Sequence, residues 1–138
     1  MKTYKTQEEI NADIEDGILT IRGNATFECD IVASGDIVAS GDIVAWDIKA
    51  GNIKAGNIET GDIVASGDIK ASGDIVASGD IVASGDIVAG NIKAGNISFF
   101  AVAYAHTSFV CKSITGRRKN SKYFCLDSEV KILGGGTN

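Results

Sequence analysis

The sequence has no proline, one histidine, one tryptophan and one methionine, and aromatic residues make up only 7% of it. A core of the usual mixed aromatic and aliphatic kind is therefore not expected. No apolar run approaches the roughly 18 residues of a membrane-crossing helix. The opening segment, MKTYKTQEEINADIEDG, lacks the apolar stretch of a secretion signal. Cysteines are few and odd in number: Cys29, Cys111 and Cys125. That pattern predicts reduced, structurally buried thiols in a cytoplasmic protein rather than a disulfide framework. Basic charge is also short. The formal charge is −5 and the pI about 4.7, so direct binding to nucleic acid is not expected.

What the chain has in abundance is a repeat. Seventeen glycines and a series of isoleucines recur in the unit Gly-[Asp/Asn]-Ile-x-Ala, often with an added serine. The isoleucines are Ile31, Ile37, Ile43, Ile48, Ile53, Ile58, Ile63, Ile69, Ile75, Ile81, Ile87, Ile92 and Ile97, always five or six residues apart. A helix cannot hold this apolar phase at 3.6 residues per turn, and its regular glycines lower helix propensity. A short strand can. Within Ile-x-Ala the two apolar side chains share one face and x takes the other. The middle position accepts lysine (Lys49, Lys70) as readily as valine (Val44, Val64), so it is predicted to point outward. Gly-Asp or Gly-Asn then supplies a corner, since glycine adopts positive φ freely and Asp or Asn bonds nearby backbone. One such side is too small to be stable alone. Stacked coils bury a continuous Ile/Ala column, each isoleucine contributing roughly 1.5–3 kcal/mol.

These points predict an all-β protein: a parallel β-helix, or solenoid, over residues 29–97. The number of sides follows from a longer duplication. Asp30–Ile53 recurs as Asp74–Ile97, eight units later. If a duplication adds whole coils, eight units favour four sides; grouping by four aligns Lys49, Lys70 and Lys93 on one face and Val44, Val64 and Val88 on the next. A three-sided coil of about 15–18 residues is the alternative.

The units resemble two families. The Ala-[Asp/Asn]-Leu-x-x rule of pentapeptide-repeat proteins is similar to Gly51-Asn52-Ile53-Lys54-Ala55 and Gly56-Asn57-Ile58-Glu59-Thr60. That resemblance implies a right-handed four-sided solenoid, and some members of the family mimic DNA and inhibit gyrase. The six-residue units and Trp46 depart from the rule. The GDI-rich repeat also resembles bactofilins, polymer-forming bacterial scaffolds with a three-sided β-helix. The whole chain resembles uncharacterised small repeat proteins of bacteria and phages, whose tails are similar to Cys111–Asp127; that likeness implies no activity.

The ends differ from the repeat, although one domain is expected throughout residues 1–138. Residues 1–28 are predicted to cap the first coil. Thr6-Gln7-Glu8-Glu9 fits a capping box, with a short helix running toward Ile14, and GILTIRGNATFE reads as strand, Gly-Asn turn, strand. Residues 98–138 hold most of the aromatics, including Phe99, Phe100, Tyr104 and Phe109, and read as a last coil or two with a closing cap. Charge is divided unevenly: −3 over residues 1–29, −6 over 30–97 and +4 over 98–138.

No catalytic residue, metal ligand set or cofactor loop is recognisable, so the protein is expected not to be an enzyme. His106 is isolated and no Cys-x-x-Cys pair exists, which argues against zinc. The repeated aspartates are expected to cap corners, because Asn replaces Asp at Asn52, Asn57, Asn91 and Asn96. The most site-like feature is Arg117, Arg118, Lys119, Asn120 and Lys122, a cluster suited to an anion or to pairing with Asp127 and Glu129. Gly134-Gly135-Gly136 is expected to be a loose tail. Val44, Val64 and Val88 are expected to form an apolar interface stripe. The leading expectation is a non-enzymatic scaffold that self-associates, most simply as a dimer. Two alternatives are an acidic inhibitor that imitates DNA toward a nucleic-acid enzyme, as a phage protein would, and a small-anion binder at the basic cluster.

Overall fold

A computed structural model describes residues 2–128 and 130–132. Glu129 and the triple glycine at 134–136, both discussed above, lie outside the described residues. The chain opens with β1 (Lys2–Tyr4), helix α1 (Gln7–Ala12), β2 (Ile14–Glu15), β3 (Ile18–Ile21) and β4 (Ala25–Phe27). Ten short strands follow: β5 (Ile31–Val32), β6 (Ile37–Ala39), β7 (Ile43–Val44), β8 (Ile48–Ala50), β9 (Ile53–Ala55), β10 (Ile58–Thr60), β11 (Ile63–Ala65), β12 (Ile69–Ala71), β13 (Ile75–Ala77) and β14 (Ile81–Ala83). The last part comprises β15 (Ile87–Lys93), β16 (Asn96–Phe99), β17 (Val102–Cys111), β18 (Ser113–Gly116), β19 (Lys122–Cys125) and β20 (Val130–Ile132).

All of these strands but β2 stack in parallel, as a β-solenoid of about seven coils. From Ile31 to Ile81 each repeat isoleucine lies opposite the isoleucine three units on. On the first face Leu19 pairs with Ile37, Ile37 with Ile53, Ile53 with Ile69 and Ile69 with Ile87. On the second, Ala25, Ile43, Ile58, Ile75, Ile92, Phe109 and Val130 follow one another. On the third, Ile31, Ile48, Ile63, Ile81, Ile97 and Ile114 do so. The coil therefore has three sides, and the four-sided preference is corrected. Its length is 16 residues from Ile37 to Ile53 and 18 from Ile69 to Ile87.

The correction has a physical cause. Every side is built from the same unit, so a unit packs equally well on any face. A duplicated block need not contain whole coils. Asp30–Ile53 begins on the third face, whereas its copy Asp74–Ile97 begins on the second. Five- and six-residue units mix for a related reason: the extra serine sits in the corner. There its N–H still donates to the Ala of the coil before, as Ser66 does to Ala50 and Ser72 to Ala55.

The repeat isoleucines point inward and are almost wholly buried, with an alanine two residues on filling each corner of the core. Thr60 replaces one of those alanines. Its hydroxyl donates 2.8 Å to the Trp46 carbonyl, so the buried oxygen is satisfied. The coil stack reaches beyond the repeat at both ends, from β3 and β4 to β19 and β20. The terminal coils use larger side chains. Tyr4 stacks on Phe27 with ring centroids 4.7 Å apart, and Phe99 meets Tyr123 edge-on at 6.5 Å.

The corners depend on glycine for a reason other than φ. Among the described glycines only Gly17 and Gly23, both before the regular repeat, have positive φ. From Asp36 to Asp86, the side chain of each corner Asp or Asn accepts a hydrogen bond from a backbone N–H one coil later. Asp36 accepts from Asn52, Asn52 from Asp68 and Asp68 from Asp86, at 2.6–2.9 Å. A side chain on the glycine would occupy the same space. A Cβ at Gly79 would lie 1.8 Å from Asp62 Oδ1, and one at Gly67 1.9 Å from Asn52 Oδ1. The Gly-Asx pair is thus one device repeated at three corners, with glycine leaving room for the Asx side chain beneath it.

The N-terminal cap treats each of the three open edges differently. On the second face β1 adds in parallel to β4. On the first, β2 adds antiparallel to β3 through a tight turn at Asp16 and Gly17, whose φ values are 53° and 79°. Gly23-Asn24 is, as expected, the turn between two strands, here a coil corner between the first and second faces. On the third face the Gln7 side chain donates 2.8 Å to the Val32 carbonyl and accepts 3.0 Å from its N–H, occupying both backbone groups as a neighbouring strand would. Helix α1 holds Gln7 there. Thr6 accepts from the Glu9 N–H, the Glu9 carboxylate accepts from the Lys5 N–H, and Ile10 is buried. The helix stops at Ala12, so that Ile14 can enter β2.

Candidate functional site

The three outward columns have distinct chemistry, and this is where candidate surfaces lie. The first face presents Val38, Lys54, Lys70, Val88, Tyr104 and Phe124. The second presents Thr26, Val44, Glu59, Val76, Lys93 and Val110. The third presents Val32, Lys49, Val64, Val82, Ser98 and Thr115. Outward exposure of the middle residue is confirmed. Its grouping is not: Val44 lies on the second face, Val64 on the third and Val88 on the first, so the three do not make a stripe. Lys49, Lys70 and Lys93 are likewise on three faces. The cause is again the three-unit coil.

The third face carries one charged residue, Lys49, in its outward column. The other two carry two or more. Val32, at its start, is 54% exposed and Val64 is 41% exposed. Trp46, 63% exposed, stands at the corner where the second face turns into the third. It takes a position that other units give to glycine, and its carbonyl accepts from the Gly61 N–H of the next coil. Val44, Val76, Thr60 and Glu59 line a shallow notch beside it. Sequence reading noted Trp46 as a departure from the repeat but missed it as a surface residue. Its glycine position was the available signal, because the repeat's glycines fall at the corners, outside the Ile/Ala core.

The basic cluster occupies the third-to-first corner of the last coils, between β18 and β19. It does not converge on one point. The Arg117 guanidinium donates to the Ala83 carbonyl two coils down, bracing the corner. Arg118 lies over the Phe100 ring, 5.9 Å from its centroid. Lys119, Asn120 and Lys122 are exposed. Asp127 stands 3.8 Å from His106, an exposed pair on the same end of the rod.

The cysteines are all free. Cys111 is buried, and burial pushes its thiol up to about 11. Cys29 and Cys125 are half-buried rather than buried. Burial, followed by Asp30, Glu9 and Glu28, raises the Cys29 thiol, so neither Cys29 nor Cys111 has the electropositive surroundings of a reactive cysteine. Among the described residues no three His, Cys, Asp or Glu side chains converge as metal ligands would. Among the described residues no helix is long and apolar enough to cross a membrane.

No family model, curated protein or solved structure matches this chain.

Proposed function

We propose that the protein is a non-enzymatic interaction scaffold that pairs with a second copy of itself through the third face. The reading rests on the outward column Val32, Lys49, Val64, Val82, Ser98 and Thr115, which crosses a six-stranded sheet and carries one charge. Apolar stripes on an otherwise charged rod mark interfaces. A second copy is the simplest occupant, because a two-fold axis sets the same weakly charged column against itself. Six strands at about 4.8 Å spacing, with their corners, give on the order of 400 Å² per copy, roughly half a standard interface. Association is therefore concentration-dependent and in the weak range.

The test is sedimentation velocity over a concentration series. The chain is expected to shift from monomer to dimer mass, and Val64→Lys to hold it at monomer mass. Val88→Lys, on the first face, leaves the dimer intact. An unchanged mass with Val64→Lys, or equal loss with Val88→Lys, removes the third-face interface.

A further inference from the structure

The two ends of the solenoid are finished differently. At the N-terminal end one edge is reversed by β2, one is met by β1 with α1 behind it, and one is occupied by the Gln7 side chain. At the other end β18, β19 and β20 continue the parallel register of the coil before. Among the described residues none of these three pairs with a further strand. Open edges of this kind recruit extended chain.

Charge and side chains say what kind of chain. Residues 98–138 carry +4, against −6 over the coils from 30 to 97. The β19 edge alternates exposed Lys122 and Phe124 with half-buried Tyr123 and Cys125. Arg118 and Lys119 lie in the loop just before it. On the same coil, Leu126 is 60% exposed. A strand added beside β19 would set every second side chain against Tyr123 and Cys125, where apolar groups fit. Its other side chains would meet Lys122 and the preceding loop, where carboxylates fit, and Phe124.

We propose that the C-terminal end is a docking edge for an extended acidic segment of a partner protein, alternating apolar and acidic residues, which adds to β19 as a further strand. This is the strand-addition mode of peptide recognition, in which backbone bonds hold the segment and alternate side chains select it. A second copy fits this edge poorly. Joining two such ends brings two +4 regions together, and the N-terminal end of another copy has its first-coil edges already occupied. The edge is separate from the third face, so the two interactions are independent.

The test uses fluorescence anisotropy with three labelled octapeptides and the full 138-residue chain carrying Val64→Lys. The peptides are alternating valine-glutamate, alternating valine-lysine, and valine-glutamate with a central proline. The first is expected to bind at least tenfold more tightly than the others and to weaken as salt rises. Lys122→Glu is expected to weaken it at least fivefold with an unchanged circular-dichroism spectrum and melting temperature. Lys54→Glu, on the same face but lower coils, leaves it unchanged. Equal binding of the glutamate and lysine peptides, indifference to proline, or indifference to Lys122→Glu overturns the proposal. So does competition between the peptide and self-association of the chain, which would assign the edge to a second copy.

Discussion

Corners and outward faces belong to the same coils yet tolerate different things. At each corner a glycine and an Asp or Asn recur almost without variation, and each pair is held to the coil before and the coil after. On the faces, the middle residue of the unit is Val, Lys, Glu, Ser or Thr in no fixed order. The difference follows from what each position touches. A corner glycine is in contact with a side-chain oxygen of the neighbouring coil, whereas a face residue meets solvent and its neighbours in the column. Conservation of a motif along the chain therefore marks stacking, and variation marks surface.

Corners would be no different from faces if a corner glycine could be filled. Gly79→Ala places a methyl 1.8 Å from Asp62 Oδ1. The expected cost is about 2–3 kcal/mol, read as a lower urea midpoint with unchanged slope. The cause is specific to that oxygen, so Asp62→Ala in the same chain restores part of the loss. A double-mutant coupling below about 0.5 kcal/mol would show that the clash is not with Asp62.

The cap sharpens the contrast, because there one side chain works both as packing and as a hydrogen-bond donor. Burial, with the Asp13 carboxylate 2.7 Å from its hydroxyl, raises Tyr4 far above the ordinary phenol range. The folded state keeps a proton that the unfolded chain releases above about pH 10, so stability falls as pH rises past that value. Asp13 shifts the other way: the Tyr4 hydroxyl, then Lys2, lowers it. Its contribution is present above the ordinary aspartate range and is lost as pH falls through the lowered value. Tyr4→Phe is expected to cost about 1 kcal/mol at neutral pH and to flatten the alkaline fall. A melting-temperature profile that still drops identically above pH 10 would assign the effect elsewhere.

Much of this architecture is legible in the chain. Ile-x-Ala with a Gly-Asx break specifies an inward pair, an outward middle residue and a corner, and all three are found. The number of sides is not legible, because interchangeable units carry no mark of phase; the blocks at Asp30 and Asp74, which differ only in Trp46-Asp47 against Gly90-Asn91, start on different faces. The face of Val44, Val64 and Val88 was lost with it. The role of Gln7 was also hidden. Nothing in a capping box announces that its second residue will satisfy the edge of a strand 25 positions on. Of the basic cluster, the composition was readable, but the turning of Arg117 onto the Ala83 carbonyl depends on coil stacking.

Within the corner, charge and geometry can be separated. Asp68 accepts from the Asp86 N–H at 2.8 Å, and Asn52 performs the same task toward Asp68 at 2.6 Å. The ladder therefore needs a side-chain carbonyl oxygen, not a negative charge. Asp68→Asn is expected to change stability by less than about 0.5 kcal/mol, and Asp68→Ala to cost about 1 kcal/mol, as for loss of a helix cap. Equal urea midpoints for the two variants would mean that the ladder bond contributes nothing.

The smallest expected effect lies on the faces. Val82→Thr and Val88→Thr keep the β-branched shape at an outward strand position and exchange a methyl for a hydroxyl that faces water. Neither removes a core contact, so each should leave stability within about 0.5 kcal/mol of the parent. Their effects on mass separate. Val82 lies in the least charged column, and a hydroxyl there must be desolvated when two copies meet; Val88 lies beside Lys70 on another face. Sedimentation at a fixed protein concentration should show less dimer for Val82→Thr alone. Matching losses in the two variants would make the faces equivalent outside as well as inside, and the apolar column would then be a by-product of the repeat, not an interface.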